Sequence, residues 1–203
     1  MKCFLKVSVL LLILGWLNVG LVFAKSDQKF FFGKTYYTKV NIWHENSVRI
    51  ASTNFHWGTM IPVGSKVTIS DISLGSYCRI SFNVQSEKKD FYIVRVPEYT
   101  ATPIEELFNQ YFSLADPLAS GGEFEKFTPQ EQEAIKKGVV DAGMSKDAVI
   151  MAYGYPPTHK TPSLSNNSWL YWVARRGLLL VKFADNKVVS LKHGSSFNVY
   201  DED

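Results

Sequence analysis

Apolar and polar positions alternate with a period of two through several short runs in the first half of the chain. Residues 34–43 are rich in Thr, Tyr, Val and Ile, residues 48–55 continue that texture, and residues 66–72, 77–84 and 91–96 complete the set. Such runs read as strands. The turn chemistry of Gly58-Thr59-Met60-Ile61-Pro62-Val63-Gly64 and the solvated Glu87-Lys88-Lys89-Asp90 separates them. Short strands at intervals of roughly ten residues predict a small antiparallel barrel or sandwich. A different period follows. Ile104, Leu107, Phe108, Tyr111 and Phe112 form one helical stripe, with Thr102 placed as N-cap, Pro103 as first helical residue and Glu105 and Glu106 at the positive end.

The run Asp116-Pro117-Leu118-Ala119-Ser120-Gly121-Gly122 breaks the chain and sets a domain boundary. Beyond it, Thr128-Pro129-Gln130-Glu131 is a capping box. Ile135, Val139 and Val140 give the helix it opens a buried face, and Gly143 is its expected end. Ser145-Lys146-Asp147 opens a second helix, stopped by Gly154 and by Pro156-Pro157. After a polar loop come three strand-like runs, 169–175, 178–183 and 188–191, joined by turns at Arg176-Gly177 and Asp185-Asn186-Lys187. Trp169 and Tyr171 share one strand face; the odd spacing of Leu180 and Phe183 implies a bulge or a boundary slip. The layout is α+β: a β-rich domain with a terminal helix over residues 30–115, then a helix–helix–three-strand domain over 123–197.

The motifs of the second domain have a family resemblance. Gly143-Met144-Ser145-Lys146-Asp147-Ala148-Val149 resembles the G-M-S/T-x-x-x-V opening of the SmpA/OmlA, or BamE-like, domain. Gly154-Tyr155-Pro156 resembles its G-x-P helix stop and Trp169-Leu170-Tyr171 its W-x-Y strand. Leu180-Val181-Lys182-Phe183 with Asn186-Lys187-Val188 resembles its closing hairpin, and the four pieces stand in family order. The resemblance implies two helices packed on a three-stranded antiparallel sheet. It also implies work in the bacterial envelope, in outer-membrane protein assembly, by binding partner proteins and lipid. Assembly members of that family are typically lipoproteins, whereas this chain has no cysteine at the expected cleavage region and carries an additional N-terminal β region. Gly143, Met144, Val149, Gly154, Pro156, Trp169, Tyr171, Phe183 and Val188 read as residues that build the module.

Residues 1–24 read as a signal peptide. Lys2 and Lys6 precede an apolar run, and Val22-Phe23-Ala24 supplies a small-residue cleavage site ahead of Lys25-Ser26-Asp27-Gln28. Cys3 lies too early to be lipidated, so the expected location is the periplasm or the outer-membrane surface without a lipid anchor. The formal charge of +3 falls to about +1 without the leader, with 20 Lys+Arg against 19 Asp+Glu, which argues against a polyanion-binding surface and so against nucleic acid. Cys78 is then the single mature cysteine, which excludes an internal disulfide and a Cys-pair metal site.

Candidate chemistry is sparse. His44, His56 and Asp71 could form an acid–base or metal site of a cell-wall hydrolase or lyase if the fold brought them together, but Trp43-His44-Glu45 lacks the i,i+4 spacing of helical zinc ligands. No nucleophile elbow, phosphate-binding glycine loop or H-E-x-x-H is present. With aromatic residues at 14%, Tyr36, Tyr37, Trp43, Phe55 and Trp57 offer either strand packing or a binding face for glycan or peptide. The expectation is an exported, non-enzymatic protein that needs no cofactor or metal. It docks an envelope protein through sheet edges or that aromatic face, with peripheral contact to the outer membrane. An inhibitor-type binding protein is the further alternative, because a secreted β-lactamase inhibitor family uses the same helix–helix–sheet module.

Overall fold

The computed structural model describes residues 32–45, 48–74, 78–173 and 177–195. The leader, its cleavage site, Tyr77, Arg175 and Arg176 lie outside these residues. Among the described residues no helix is long and apolar enough to cross a membrane.

The fold is α+β. Eight strands come first: β1 (Thr35–Thr38), β2 (Ile42–His44), β3 (Arg49–Ala51), β4 (Thr59–Ile61), β5 (Lys66–Ser73), β6 (Arg79–Val84), β7 (Lys89–Val94) and, after helix α1 (Ile104–Tyr111), β8 (Phe112–Ser113). Six of them form a curled, open half-barrel in the order β3-β7-β6-β5-β1-β8. This corrects the expected antiparallel barrel or sandwich, since β3 runs parallel to β7 and the sheet does not close on itself. A parallel pair cannot be joined by a tight turn, and the chain makes that crossover through β4, β5 and β6. The predicted strand over 34–43 also divides. After Thr38 the chain leaves the large sheet, and β2 pairs with β4 in a separate two-stranded ribbon.

Val67, Ile69, Ile80, Phe82, Val84, Phe91 and Ile93 turn into the concave side of the half-barrel, and Ile104, Leu107, Phe108 and Tyr111 of α1 pack over them. Alternation along β6 and β7 is what makes one face of that sheet apolar. Cys78 is buried in the same core. The helix begins at Ile104, with Pro103 at the cap position, so the Thr102 side chain does not cap it as its type had suggested.

A loop and a 3-10 turn at Glu123–Lys126 lead into α2 (Pro129–Lys137) and α3 (Lys146–Tyr153), then the meander β9 (Ser168–Val173), β10 (Gly177–Ala184) and β11 (Lys187–Gly194). The meander has the order β11-β10-β9. The capping box at Thr128 and Glu131 is formed in full. Gly138, at φ 65°, ends α2, five residues before the expected Gly143, and Val139 consequently points to solvent. A side chain at Gly138 would meet Met60 and Trp43, so the β2–β4 ribbon leaves room only for glycine there. Trp169, Tyr171, Leu179, Val181, Phe183 and Val188 of the sheet pack against Ile135, Ala148, Val149 and Ala152 of the helices. Leu179 rather than Leu180 shares the inner face with Phe183, and a bulge sits at Lys182/Phe183 where β10 meets β11. Asp185 and Asn186, both at positive φ, close that hairpin with the backbone expected of a two-residue turn.

Candidate functional site

The two cores meet along the segment that links β1 to β4. An α-helix leaves its last four carbonyls without intrahelical partners, and at α3 the first half of the chain supplies most of what is missing. The Ile150 carbonyl accepts the Gly154 N–H, and the Met151 carbonyl accepts the Asn41 N–H (2.7 and 3.1 Å). The Ala152 carbonyl accepts Asn41 Nδ2 (2.9 Å), and the Tyr153 carbonyl accepts Asn54 Nδ2 (3.1 Å) and faces His56 Nε2 (2.5 Å). Asn41 is wholly buried, donates a second Nδ2 bond to the Ile135 carbonyl of α2 (2.7 Å), and accepts the Val63 N–H on Oδ1 (2.8 Å). Asn54, at φ 45°, accepts the Trp43 N–H and donates to the Asn41 carbonyl. An asparagine tolerates that left-handed backbone better than other non-glycine residues.

His56 is buried at the same junction. Its ring stacks on Tyr153 (3.5 Å between centroids), its backbone N–H donates to the Trp172 carbonyl (3.1 Å), and Nδ1 faces that same carbonyl at 3.2 Å. Burial lowers its pKa to about 4 and outweighs the two carbonyls, which pull the other way. The neutral ring has one N–H to give, and the shorter contact assigns it to Nε2. His44 lies elsewhere, its ring against Phe91 (4.8 Å) on the inner side of the half-barrel and its Nδ1 on the Glu45 carbonyl. Asp71 is on the outer face, paired with Arg79 at 3.4 Å beside Tyr92. The structure therefore does not gather His44, His56 and Asp71 into one cleft. Among the described residues no group of three or more His, Cys, Asp or Glu is placed to hold a metal ion.

The motif residues of the second half are consumed in building it. Gly143 (φ 86°) and Met144 run alongside the start of β11: the Gly143 N–H donates to the Val188 carbonyl and the Val188 N–H to the Met144 carbonyl (2.8 Å each). Two motif pieces some forty residues apart in sequence thus pair with each other. Met144, Val149, Trp169, Tyr171, Phe183, Val188 and Pro156 are all buried. The Tyr171 hydroxyl donates to the Gly154 carbonyl (3.0 Å), which fixes the helix stop against the sheet.

Glu131 does more than close its own capping box. Oε2 accepts the Thr128 N–H and hydroxyl (3.0 Å each), while Oε1 accepts the N–H of Ser145, the N-cap of α3 (2.7 Å), and the Lys187 ammonium of the hairpin (3.1 Å). One carboxylate serves the starts of both helices. Burial raises its pKa, but the bonds from Ser145, Thr128 and Lys187 prevail and bring it from 4.5 to about 2. Its stabilising effect is therefore complete above pH 4.5 and fades as pH falls toward about 2. Glu131→Gln should cost roughly 3 kcal/mol at neutral pH. In urea titrations the gap to the parent protein should narrow through that acid window; a gap independent of pH would refute the ionic role.

Lys146 is the other organiser. Its ammonium donates to the carbonyls of Leu164, Ser165 and Asn166 (3.1, 3.2 and 2.8 Å) and lies over the Trp169 and Phe183 rings. Burial lowers its pKa.

The five early aromatics are not all at the surface. Tyr36 is in the first core, edge-on to Phe108, and Tyr37 and Phe55 are half-buried. Trp43 packs beside Gly138 and His56, which leaves Trp57 alone exposed, at 44%. What the second half does expose is a strand edge. β11 is the outer strand of the meander; its start is taken by the α2–α3 turn, and among the described residues no strand pairs with its outer edge over 189–191. Val189, displaced at the bulge, is 58% exposed there.

No family model, curated protein or solved structure matches this chain.

Asn41, Asn54, Lys146 and the second role of Glu131 were not evident in the sequence. One signal did exist for Asn41: an amide between Val40 and Ile42, inside an otherwise apolar stretch, is a buried polar group in need of partners. Lys146 and Asn54 carried no comparable mark.

Proposed function

We propose that this chain is an exported, non-catalytic binding module of the bacterial envelope. Its second half is a BamE-like unit that docks a partner protein by adding a strand to the outer edge of β11. The observation that carries the reading is the helix–helix–meander order in which the Gly143-Met144 and Asn186-Lys187-Val188 pieces pair, leaving the outer edge of β11 without a strand partner over 189–191 among the described residues. An open edge offers main-chain N–H and C=O groups to an extended segment, and pockets for alternate side chains give selectivity. The histidines support the same reading. His56 is buried between backbone carbonyls and His44 packs on Phe91, so neither is positioned with Asp71 for acid–base work.

A photo-activated cross-linker placed in cells at His193, exposed on β11, should capture an envelope protein, and one at Glu133, exposed on α2, should not. Val189→Asp should abolish the capture while changing stability by no more than about 0.5 kcal/mol, as for other exposed positions. Equal capture from both sites, or capture that survives Val189→Asp, would refute docking at this edge. Sequencing the mature N-terminus from an envelope fraction tests export, with Lys25 expected as the first residue.

A further inference from the structure

We propose that the strand added to β11 is apolar on one face and acidic on the other, an inference that rests on docking at that edge and gives the partner its chemistry. The ladder sorts the side chains such a strand would meet. Directly opposed residues of an antiparallel pair share one face of the sheet. Leu191 lies opposite Val181, while Lys192 and Ser190 lie opposite Leu180 and Lys182. Val181 is in the second core, so Leu191 belongs to the inner face and Lys182, Ser190 and Lys192 to the outer one.

On the inner face, Trp169, Val181 and Leu191 form one row across the three strands. Trp169 and Val181 are fully buried, whereas Leu191, at the end of the row, is only half-buried although it packs against the same core. A further strand continues that row with an apolar residue beside Leu191, taking its remaining surface out of water.

On the outer face the row is Ser168, Lys182 and Ser190. A residue placed opposite Ser190 has Lys192 as its diagonal neighbour, roughly 7–8 Å away, a span that long side chains cover. Lys182 stands directly behind Ser190, whose short side chain is little obstacle to a longer one.

The charge on this sheet is of one sign. None of the three strands carries Asp or Glu, and β10 and β11 carry Lys182, Lys187, Lys192 and His193. Asp185 lies in the turn beyond the strand ends, and Glu131 is engaged with Lys187 at the start of β11. A carboxylate opposite Ser190 thus meets Lys192 and Lys182, and a lysine there meets like charge. Cross-strand pairs of opposite and like charge differ enough to separate acidic from basic strands about tenfold over two such contacts. Alternating apolar and acidic residues satisfy both rows; a basic strand satisfies only the inner one.

Three synthetic peptides of about seven residues, an ordinary strand length, test this on the whole mature chain. All carry Val at alternate positions, with Glu, Ser or Lys at the others. Amide exchange at 189–191 reports docking at the edge, and fluorescence anisotropy of the labelled peptides reports affinity. The Glu peptide should bind about tenfold more tightly than the Lys peptide, with Ser between, and the gap should narrow from about 50 mM to about 500 mM salt. Lys192→Glu, at an exposed position, should erase the preference for Glu and leave the thermal melt unchanged. If the Glu and Lys peptides slow exchange and bind equally, or the preference survives Lys192→Glu, the acidic strand is overturned while docking at the edge stands. If no peptide slows exchange at 189–191, docking at the edge fails and this inference with it.

Discussion

Replacing Asn41 with alanine should destabilise the protein by roughly 4–6 kcal/mol. The side chain is wholly buried and serves three backbone groups that no solvent can reach: the Ile135 and Ala152 carbonyls and the Val63 N–H. Each such group left unpaired costs about 1–3 kcal/mol, and the methyl that remains cannot fill the space. A domain is stable by only about 5–15 kcal/mol in total, so the variant should be marginal at room temperature. Asn41→Asp should be no better, because it would set a carboxylate against the same two carbonyls. Urea unfolding followed by circular dichroism measures the loss; a loss below about 1 kcal/mol would mean that the asparagine network does not hold the halves together.

Gly154→Ala should cost nearly as much, roughly 3–5 kcal/mol, and the reason can be separated into parts. Gly154 has φ 78° and ψ −175°, a region essentially reserved for glycine that costs other residues about 1–3 kcal/mol. A Cβ there would also run into the Asn54 side-chain amide. That amide holds the Tyr153 and Asn41 carbonyls, so displacing it adds the cost of unpaired groups. Gly143→Ala supplies the control: its φ is 86° but a Cβ would meet nothing within 4 Å. It should show the backbone cost alone, about 1–2 kcal/mol. Equal losses for the two variants would mean that Asn54 yields freely and the junction is softer than its hydrogen bonds imply.

What the sequence disclosed and what it withheld follow from the range of the interactions involved. The capping box at Thr128, the Ser145 N-cap, the alternation of β6 and β7 and the Asp185-Asn186 turn are written in residues only a few positions apart, and all were legible. The stop of α2 was misplaced from Gly138 to Gly143 because what requires glycine at Gly138 is Met60 and Trp43, distant in sequence. The parallel β3–β7 pair and the break after Thr38 were not legible either. Both depend on where other strands lie, as pairing registers of distant segments always do.

The sites divide in the same way. Trp169 and Tyr171 were correctly placed on one face by their spacing of two, yet Tyr36, in an equally aromatic run, went to the core rather than to a surface. Composition marks an aromatic cluster but cannot say which way each strand faces. Asn41 reaches partners 94 and 111 residues away, and no local pattern encodes such a bond. Thr102 is instructive in the opposite direction: it read as a helix cap by type and position, and the structure puts Pro103 at that position with no side-chain cap bond.

Amide hydrogen exchange with and without the cross-linked partner, purified, tests the docking claim most directly. Strand addition pairs backbone groups, so exchange should slow at the amides of 189–191 and remain nearly unchanged at β9 and at the half-barrel strands. Unaltered exchange along 189–191, with new protection elsewhere on the chain, would contradict the account.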